Sequence, residues 1–216
     1  MMNPKRLAMA WRALLSEMRF AIERQTLREK FPHVIFGEGV IIRAPERFSA
    51  GERCFIDTRA YLSCGGGDWN GDRGYIRLGR NAEIGPYCVF WGAGGITIGD
   101  NVHIGAGVGI TAHEAHHVPP SNTDPMRTLD FTFDPVVIED HVIICSGTQI
   151  IPGVRIGHHS MIGAGAVVIG DIPPYSLAVG VPAKVVRTWD ESGESVRVLR
   201  GGNGAAATPT IERWVP

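Results

Sequence analysis

Cysteine is scarce in this 216-residue chain, and its distribution excludes a scaffold built on disulfides. The four cysteines are widely spaced and form no Cys-x-x-Cys pair; they are Cys54, Cys64, Cys88 and Cys145. Small secreted domains that depend on disulfides carry a dense cysteine framework, whereas isolated thiols are typical of a reducing compartment. The sequence therefore predicts a cytoplasmic protein.

The chain also lacks a dominant charge and a long apolar run. Its formal net charge is -1, with 44% hydrophobic and 20% charged residues, so no nucleic-acid partner is indicated. The segment 1–31 has no uninterrupted apolar stretch and no small-residue cleavage site, which argues against a transmembrane helix and a signal peptide. We expect a soluble globular protein of one domain, or of one domain with a small appendage.

Residues 1–31 carry the pattern of an amphipathic helix. Asn3 followed by Pro4 is typical of a helix start. Apolar side chains recur on one face at helical spacing, namely Leu7, Trp11, Leu14, Leu15, Met18 and Ile22. Seven Lys and Arg against three Glu make the segment basic. We predict that this helix packs on the main domain or on a neighbouring subunit; peripheral contact with an anionic membrane is the less favoured alternative.

Aliphatic residues recur at every sixth position through most of the chain. The runs are Ala50, Ile56 and Leu62; Leu78, Ile84 and Phe90; Ile98, Ile104 and Ile110; and Ile138, Ile144, Ile150, Ile156, Ile162 and Val168. A period of six is neither that of an α-helix nor the alternation of a half-buried strand. It is typical of a parallel β-helix, in which short strands are joined by tight turns and point one aliphatic each into a common interior. We therefore predict a mainly β fold over residues 32–187.

Two insertions interrupt this rhythm, and a third segment lies beyond it. Residues 63–77 form the first insertion, and the loop 111–136 forms the second, which starts with three histidines within five positions. Loops that leave a rigid scaffold are where binding and catalytic residues concentrate. Residues 188–216 lose the repeat and are polar and glycine-rich, so we predict an extended or mobile tail there.

Four features of residues 34–187 occur together. They are the repeats, a histidine at the base of the long loop, the run IIPGVRIGHHSMIGAGAVVIGDIPPYS and the closing AVGVPAKVVR. This combination resembles the hexapeptide-repeat acyltransferases, closest to the sugar O-acetyltransferases of polysaccharide biosynthesis and the maltose and galactoside acetyltransferase group. The resemblance implies a left-handed coil, a homotrimer with active sites between subunits, acetyl-CoA as donor and no metal. Neither the handedness nor the trimer follows from the spacing.

The resemblance also assigns roles to single residues. His113 would be the general base, because a sugar hydroxyl is a poor nucleophile until its proton is removed. Ser146 and Ala164 would lie along the pantetheine of CoA, where small side chains allow close approach. Lys184 and Arg187 would face the nucleotide phosphates. Each of these residues also has an ordinary structural interpretation, as a turn or surface residue.

The acceptor side departs from the family pattern. Trp91 stands in the region where maltose and galactoside acetyltransferases use an asparagine to hold the acceptor, and it is suited to stacking on a sugar or to filling a subunit interface. His116 is a second candidate for the acceptor site. Ile143 stands where many relatives carry a tryptophan. The acceptor, a small molecule or a polysaccharide, is therefore left open by the sequence.

Two other classes of function fit parts of the pattern. A γ-class carbonic anhydrase shares the coil and binds zinc through three histidines, but its ligands come from successive coils, whereas His113, His116 and His117 share one loop. A non-enzymatic β-helix that serves as an assembly module needs only the repeats. It has no need of a histidine at the loop base together with a CoA-type C-terminal motif.

Overall fold

A computed structural model describes residue 22 and residues 25–65, 70–117 and 129–198. These residues form a left-handed parallel β-helix, as predicted, in which short strands wind around a triangular interior. The predicted helix over residues 1–31 lies mostly outside the described residues, but residue 22 and residues 25–30 are helical. Leu27 and Phe31 close the first turn of the coil, because both are buried in its core.

Three parallel sheets make the faces of the coil. Face 1 contains β1 (Val34–Phe36), β4 (Cys54–Ile56), β7 (Glu83–Ile84), β10 (His103–Ile104), β15 (Ile143–Ile144), β18 (Met161–Ile162) and β20 (Ser176–Val179). Face 2 contains β2 (Ile41–Arg43), β5 (Tyr61–Ser63), β8 (Val89–Trp91), β11 (Gly109–Thr111), β16 (Gln149–Ile150) and β19 (Val167–Val168). Face 3 contains β3 (Phe48–Ala50), β6 (Ile76–Leu78), β9 (Ile96–Ile98), β14 (Val136–Ile138) and β17 (Arg155–Ile156), and a 3-10 turn, η1 (Pro45–Arg47), precedes β3.

The six-residue rhythm corresponds to the interior of the coil. On face 1, Ile84 pairs with Ile104 and Ile104 with Ile144, so aliphatic side chains of successive turns stack directly. Phe90 and Ile110 stack in the same way on face 2. Nearly all of the repeat residues are buried, and only Ala50 is partly exposed. One aliphatic from each strand therefore fills the core, as predicted.

Each edge between two faces requires residues that accept a positive φ. At some turns the residue with positive φ is glycine, and at the edge between faces 3 and 1 it is often another residue type. There Asn81, Asn101, His141 and His159 occupy equivalent turns with φ between 54° and 59°. The side chains of this ladder contact one another: the Asn81 amide donates to Asn101 Oδ1 at 2.8 Å, and the His141 and His159 rings stack at 4.6 Å. Asparagine and histidine are among the residues that tolerate this conformation best.

Both insertions leave the coil at the same edge, between faces 2 and 3. Leu78 follows Leu62 by 16 residues and Ile138 follows Ile110 by 28, whereas six suffice at a regular turn. The longer insertion contains a two-stranded antiparallel arm, β12 (Glu114–His117) with β13 (Leu129–Thr132). The predicted loop 111–136 thus corresponds to this arm and its two connections to the coil. Residues 118–128 lie outside the described residues.

The C-terminal end of the coil is covered by two antiparallel strands. β21 (Lys184–Trp189) pairs with β20, and β22 (Ser195–Val198) pairs with β21. The predicted boundary between coil and tail, after residue 187, falls inside β21. Residues 199–216 lie outside the described residues. In the described part of the chain, no helix is long and apolar enough to cross a membrane.

The four cysteines are free thiols, and three of them belong to the core. Burial raises the pKa of Cys64 to about 12 and that of Cys88 to about 11, so both remain protonated at neutral pH. A thiol in that state is a poor nucleophile and metal ligand. These cysteines act as small apolar side chains, and the cytoplasmic location inferred from their spacing stays a prediction.

The stacked interior makes a matched test of stability possible on face 1. Ile56 is 0% exposed and Ile35 on the neighbouring strand is 65% exposed. We expect Ile56→Val to lower the free energy of unfolding by about 1 kcal/mol, because it leaves a small cavity in a close-packed core. Ile35→Val should have almost no effect. Denaturant unfolding of both variants checks this, and equal losses would contradict the assignment of the interior.

Candidate active site

His113 lies where the long arm leaves the coil, between β11 and β12. Its ring lies among three aromatic side chains that come from two other segments of the sequence. The centroids of Trp91, Phe131 and Phe133 lie 6.5, 6.3 and 6.4 Å from the imidazole, and the Phe133 ring is nearly parallel to it. Trp91 comes from the coil, and the two phenylalanines come from the returning side of the arm. The histidine is therefore held in an aromatic wall.

The aromatic wall changes the acid–base properties of His113. Burial lowers the pKa of His113 below its ordinary value, and a hydrogen bond with the backbone of Trp91 partly opposes this shift. Removal from water disfavours the charged form of a histidine. The imidazole is accordingly held neutral at neutral pH, which is the form that accepts a proton. The ring is partly exposed, so a ligand has access to it.

The backbone next to His113 is packed so closely that Gly94 has no room for a side chain. A Cβ added at Gly94 would collide with the carbonyl oxygen of Ala112 and lie 3.0 Å from the carbonyl carbon of Phe133. Gly94 therefore lets the turn before β9 touch both ends of the arm.

The two residues predicted for the acceptor lie on different parts of this edge. Trp91 is 43% exposed and packs on Tyr61, with a centroid distance of 5.3 Å, so an open aromatic surface continues from the His113 wall onto face 2. His116 lies on β12, and its Nε2 is 2.9 Å from Thr132 Oγ1 on the paired strand. Its side chain is exposed. Trp91 thus contacts His113 directly, whereas His116 is held by the arm.

The residues predicted for the donor lie at another edge, between faces 1 and 2. Ser146 and Ala164 occupy equivalent positions on successive turns, since the Gly165 amide donates to the Ser146 carbonyl at 2.9 Å, and both side chains are exposed. The Ser146 hydroxyl accepts a hydrogen bond from the Ala106 amide at 3.1 Å. A Cβ at Gly105 would lie 2.7 Å from the Ser146 nitrogen. Small residues therefore leave a groove of about 270 Å³ below Ser146.

The predicted cations continue from this edge onto the capping strands. Lys184 pairs with Val179, and Val179 lies over Gly163, the residue before Ala164. Lys184 is therefore at the upper end of the same edge, and it is exposed. Arg187 follows on β21 opposite Leu177 and is also exposed.

Within one chain the two groups of predicted residues do not meet. His113 and the aromatic wall stand at the edge between faces 2 and 3, and Ser146, Ala164 and Lys184 stand at the edge between faces 1 and 2. Face 2 lies between them.

Two residues of the wall could not be recognised as site residues from the sequence. Phe131 and Phe133 alternate in LDFTFDP as in a strand, but nothing in that segment indicates a partner 18 residues earlier. Among the described residues, no three His, Cys, Asp or Glu side chains are grouped so that they could hold a metal ion.

Comparisons with known proteins identify relatives of this chain. The family model for the bacterial transferase hexapeptide (six repeats) matches residues 135–170, and that for the hexapeptide repeat of succinyl-transferase matches residues 75–112. Galactoside O-acetyltransferase of Escherichia coli (strain K12) is 36% identical over 64% of this chain and 63% of its own. The chain spans less than two thirds of the length of the curated relatives it matches.

Solved structures extend the comparison to the fold. A galactoside acetyltransferase in complex with coenzyme A is 31% identical, with 68% of each chain covered and a TM-score of 0.54. An N-acyltransferase from Bacillus cereus in complex with dTDP and coenzyme A has a TM-score of 0.64 at 22% identity over 78% of this chain and 90% of its own, which shows a shared fold. The repeats, the coil and the 31% sequence identity to the galactoside acetyltransferase show that the chain belongs to the hexapeptide-repeat acetyltransferase family.

Proposed function

We propose that this protein is an acetyl-CoA-dependent O-acetyltransferase that acts on a hydroxyl of a sugar or polysaccharide, with His113 as general base. The observation that carries the proposal is the setting of His113. A neutral imidazole stands at the mouth of the insertion, walled by Trp91, Phe131 and Phe133. Aromatic faces suit the apolar faces of a sugar ring, and a neutral histidine suits removal of a hydroxyl proton.

The donor side of the proposal rests on the edge between faces 1 and 2. The exposed Ser146 and Ala164 leave room for the thin pantetheine arm, and Lys184 and Arg187 supply positive charge for the nucleotide phosphates. The related galactoside acetyltransferase binds coenzyme A. Since the base lies at a different edge, we infer a homotrimer in which each active site combines His113 of one copy with Ser146 and Ala164 of the next.

The proposed reaction transfers the acetyl group in one addition and one elimination. The acceptor hydroxyl gives its proton to His113 as its oxygen attacks the thioester carbonyl carbon, and a tetrahedral intermediate forms. The C–S bond then breaks, the acetyl ester remains on the sugar, and the CoA thiolate takes the proton from His113. Atoms and charges balance without any further reactant.

The lowered pKa of His113 predicts the pH dependence of activity. The base works only when unprotonated, so kcat/KM should fall as the pH drops through the His113 pKa. Because burial lowers this pKa, we expect the midpoint of the acid limb below about 6.5, the ordinary value for histidine. Phe133→Ala, which admits water to the ring, should move the midpoint upward. A midpoint above 6.5 in the wild type would contradict a buried histidine as the base.

The proposal is tested by following CoA release from acetyl-CoA with a thiol reagent across neutral sugars, sugar phosphates, uronic acids and polysaccharide fragments. Release that depends on an acceptor supports the proposal and identifies the acceptor. Release that is equally fast with amino sugars blocked at every hydroxyl would assign an N-acetyltransferase instead. Failure of the protein to bind acetyl-CoA in any assay would favour the non-enzymatic assembly module.

A further inference from the structure

A cavity rich in arginine lies beside the His113 wall, on the outer side of face 3. Its volume is about 350 Å³, and residues of η1, β3, the first insertion and β6 line it, among them Tyr75. The charged residues are Glu46, Arg47, Asp72, Arg73 and Arg77. The mechanism proposed above uses none of them.

Arg47 organises this cavity. Its guanidinium donates to the Asp72 carbonyl at 2.6 Å and to the Gly74 carbonyl, and it also pairs with the Asp72 carboxylate. These contacts hold the end of the first insertion against η1. They also neutralise Asp72, so that Glu46 is the remaining acidic side chain of the lining.

Arg73 and Arg77 are both exposed and both held over aromatic rings. The Arg77 guanidinium lies 4.2 Å from the centroid of Tyr75, and the Arg73 guanidinium lies 5.9 Å from the centroid of Phe133. Stacking on a ring restrains the guanidinium and leaves its N–H groups at the rim to donate. Two arginines presented in this way match the oxygens of a phosphate or carboxylate.

The cavity is connected to the base through a single side chain. The Phe133 ring contacts both Arg73 and His113, and its centroid lies 6.4 Å from that of His113. The Arg73 guanidinium is therefore no more than about 12 Å from the His113 ring, the two distances taken end to end. One acceptor molecule is long enough to reach both if it is a sugar that carries an anionic group.

We propose that Arg73 and Arg77 form an oxyanion subsite for the acceptor, so that the preferred substrate is a sugar bearing a phosphate or carboxylate rather than a neutral sugar. The proposal rests on the proposed function, since it defines the acceptor for the base at His113. Arg47 is a positioning residue, which holds the loop that carries Arg73. A phosphate and a carboxylate both present an oxyanion close to the sugar ring. The choice of probe distinguishes between these two groups.

The test compares three matched acceptors, galactose, galactose 1-phosphate and galacturonate, with inorganic pyrophosphate as a probe that needs no sugar. We expect galactose 1-phosphate or galacturonate to have the higher kcat/KM in CoA release, and the better of the two identifies the anion. Arg73→Gln and Arg77→Gln should each lower kcat/KM for that anionic acceptor by about 10- to 100-fold, as expected for loss of a hydrogen bond to a charged group. The value for galactose should be unchanged.

Arg80→Gln is the matched control, because Arg80 is an exposed arginine next to β6 that pairs with Asp100 outside the cavity. It should leave all three acceptors unaffected. Pyrophosphate should inhibit the wild type in competition with the anionic acceptor, and inhibit Arg73→Gln more weakly. Equal losses for neutral and anionic acceptors in the arginine variants, or no inhibition by pyrophosphate, would overturn the subsite.

Calorimetric binding without acetyl-CoA separates this proposal from the proposed function. If the anionic probes bind the wild type and bind Arg73→Gln more weakly, the subsite is supported even where no CoA is released. If galactose is acetylated through His113 while the anionic probes show no dependence on either arginine, the function is supported and the subsite is wrong.

Discussion

His113→Ala is expected to lower acceptor-dependent CoA release by about 10²- to 10⁴-fold, the usual contribution of a positioned general base. The effect should appear in kcat, because the imidazole acts when the hydroxyl attacks. Acetyl-CoA binding should be unchanged, because the substitution leaves the proposed donor contacts at Ser146 and Ala164 intact. Steady-state kinetics with a good acceptor and a separate measurement of acetyl-CoA binding give the two values.

His116→Ala is the matched control for this prediction. His116 lies on the same arm, is exposed, and contacts Thr132 rather than the aromatic wall. We expect it to change activity far less than His113→Ala and to affect KM for the acceptor if it affects anything. If the two variants lost activity equally, the base would not be His113 alone, and disruption of the arm would be the simpler explanation.

Two inactive variants are expected to restore activity when they assemble together. His113→Ala keeps the proposed donor edge intact. Ala164→Phe keeps His113 intact but places a ring in the proposed path of the pantetheine, where Ala164 is exposed. If each active site takes its base and its donor edge from different copies, an equal mixture refolded together contains some sites with both parts intact. Random assembly in a closed ring makes about a quarter of the sites complete.

The mixture should therefore regain about a quarter of the wild-type activity from two components that are nearly inactive alone. Tagged copies of each variant, purified through both tags, establish that mixed oligomers formed. A mixed oligomer without activity would place both parts of the site in one chain. Normal acetyl-CoA binding by Ala164→Phe would show that the donor does not lie along this edge.

The repeat region was predictable because its physics is local. Each strand of the coil places its aliphatic residue six positions after that of the preceding strand, so the burial of Ile144 and Ile150 follows from spacing alone. The same spacing also indicates that Ser146 and His113 lie at different edges of the coil. Ser146 precedes the face 2 strand that contains Ile150, whereas His113 follows the face 2 strand that contains Ile110.

The aromatic wall was not predictable, because it depends on contacts between segments with no shared period. Phe133 reaches His113 only because the arm returns in antiparallel register and because Gly94 admits both of its ends. Arg73 meets Phe133 only because two insertions of different length leave the same edge. The assignment of His113 as the base came from the resemblance to a family. The structure adds a physical reason, because aromatic side chains surround the imidazole and its burial favours the neutral form.

The most direct test of the central claim is transfer of an isotopically labelled acetyl group from acetyl-CoA to an acceptor, followed by mass spectrometry of the product. Wild-type protein should yield an acceptor that carries one labelled acetyl ester, and His113→Ala should yield almost none in the same time. Release of CoA without a labelled acceptor would mean thioester hydrolysis instead of transfer. Equal labelling by both proteins would contradict His113 as the base.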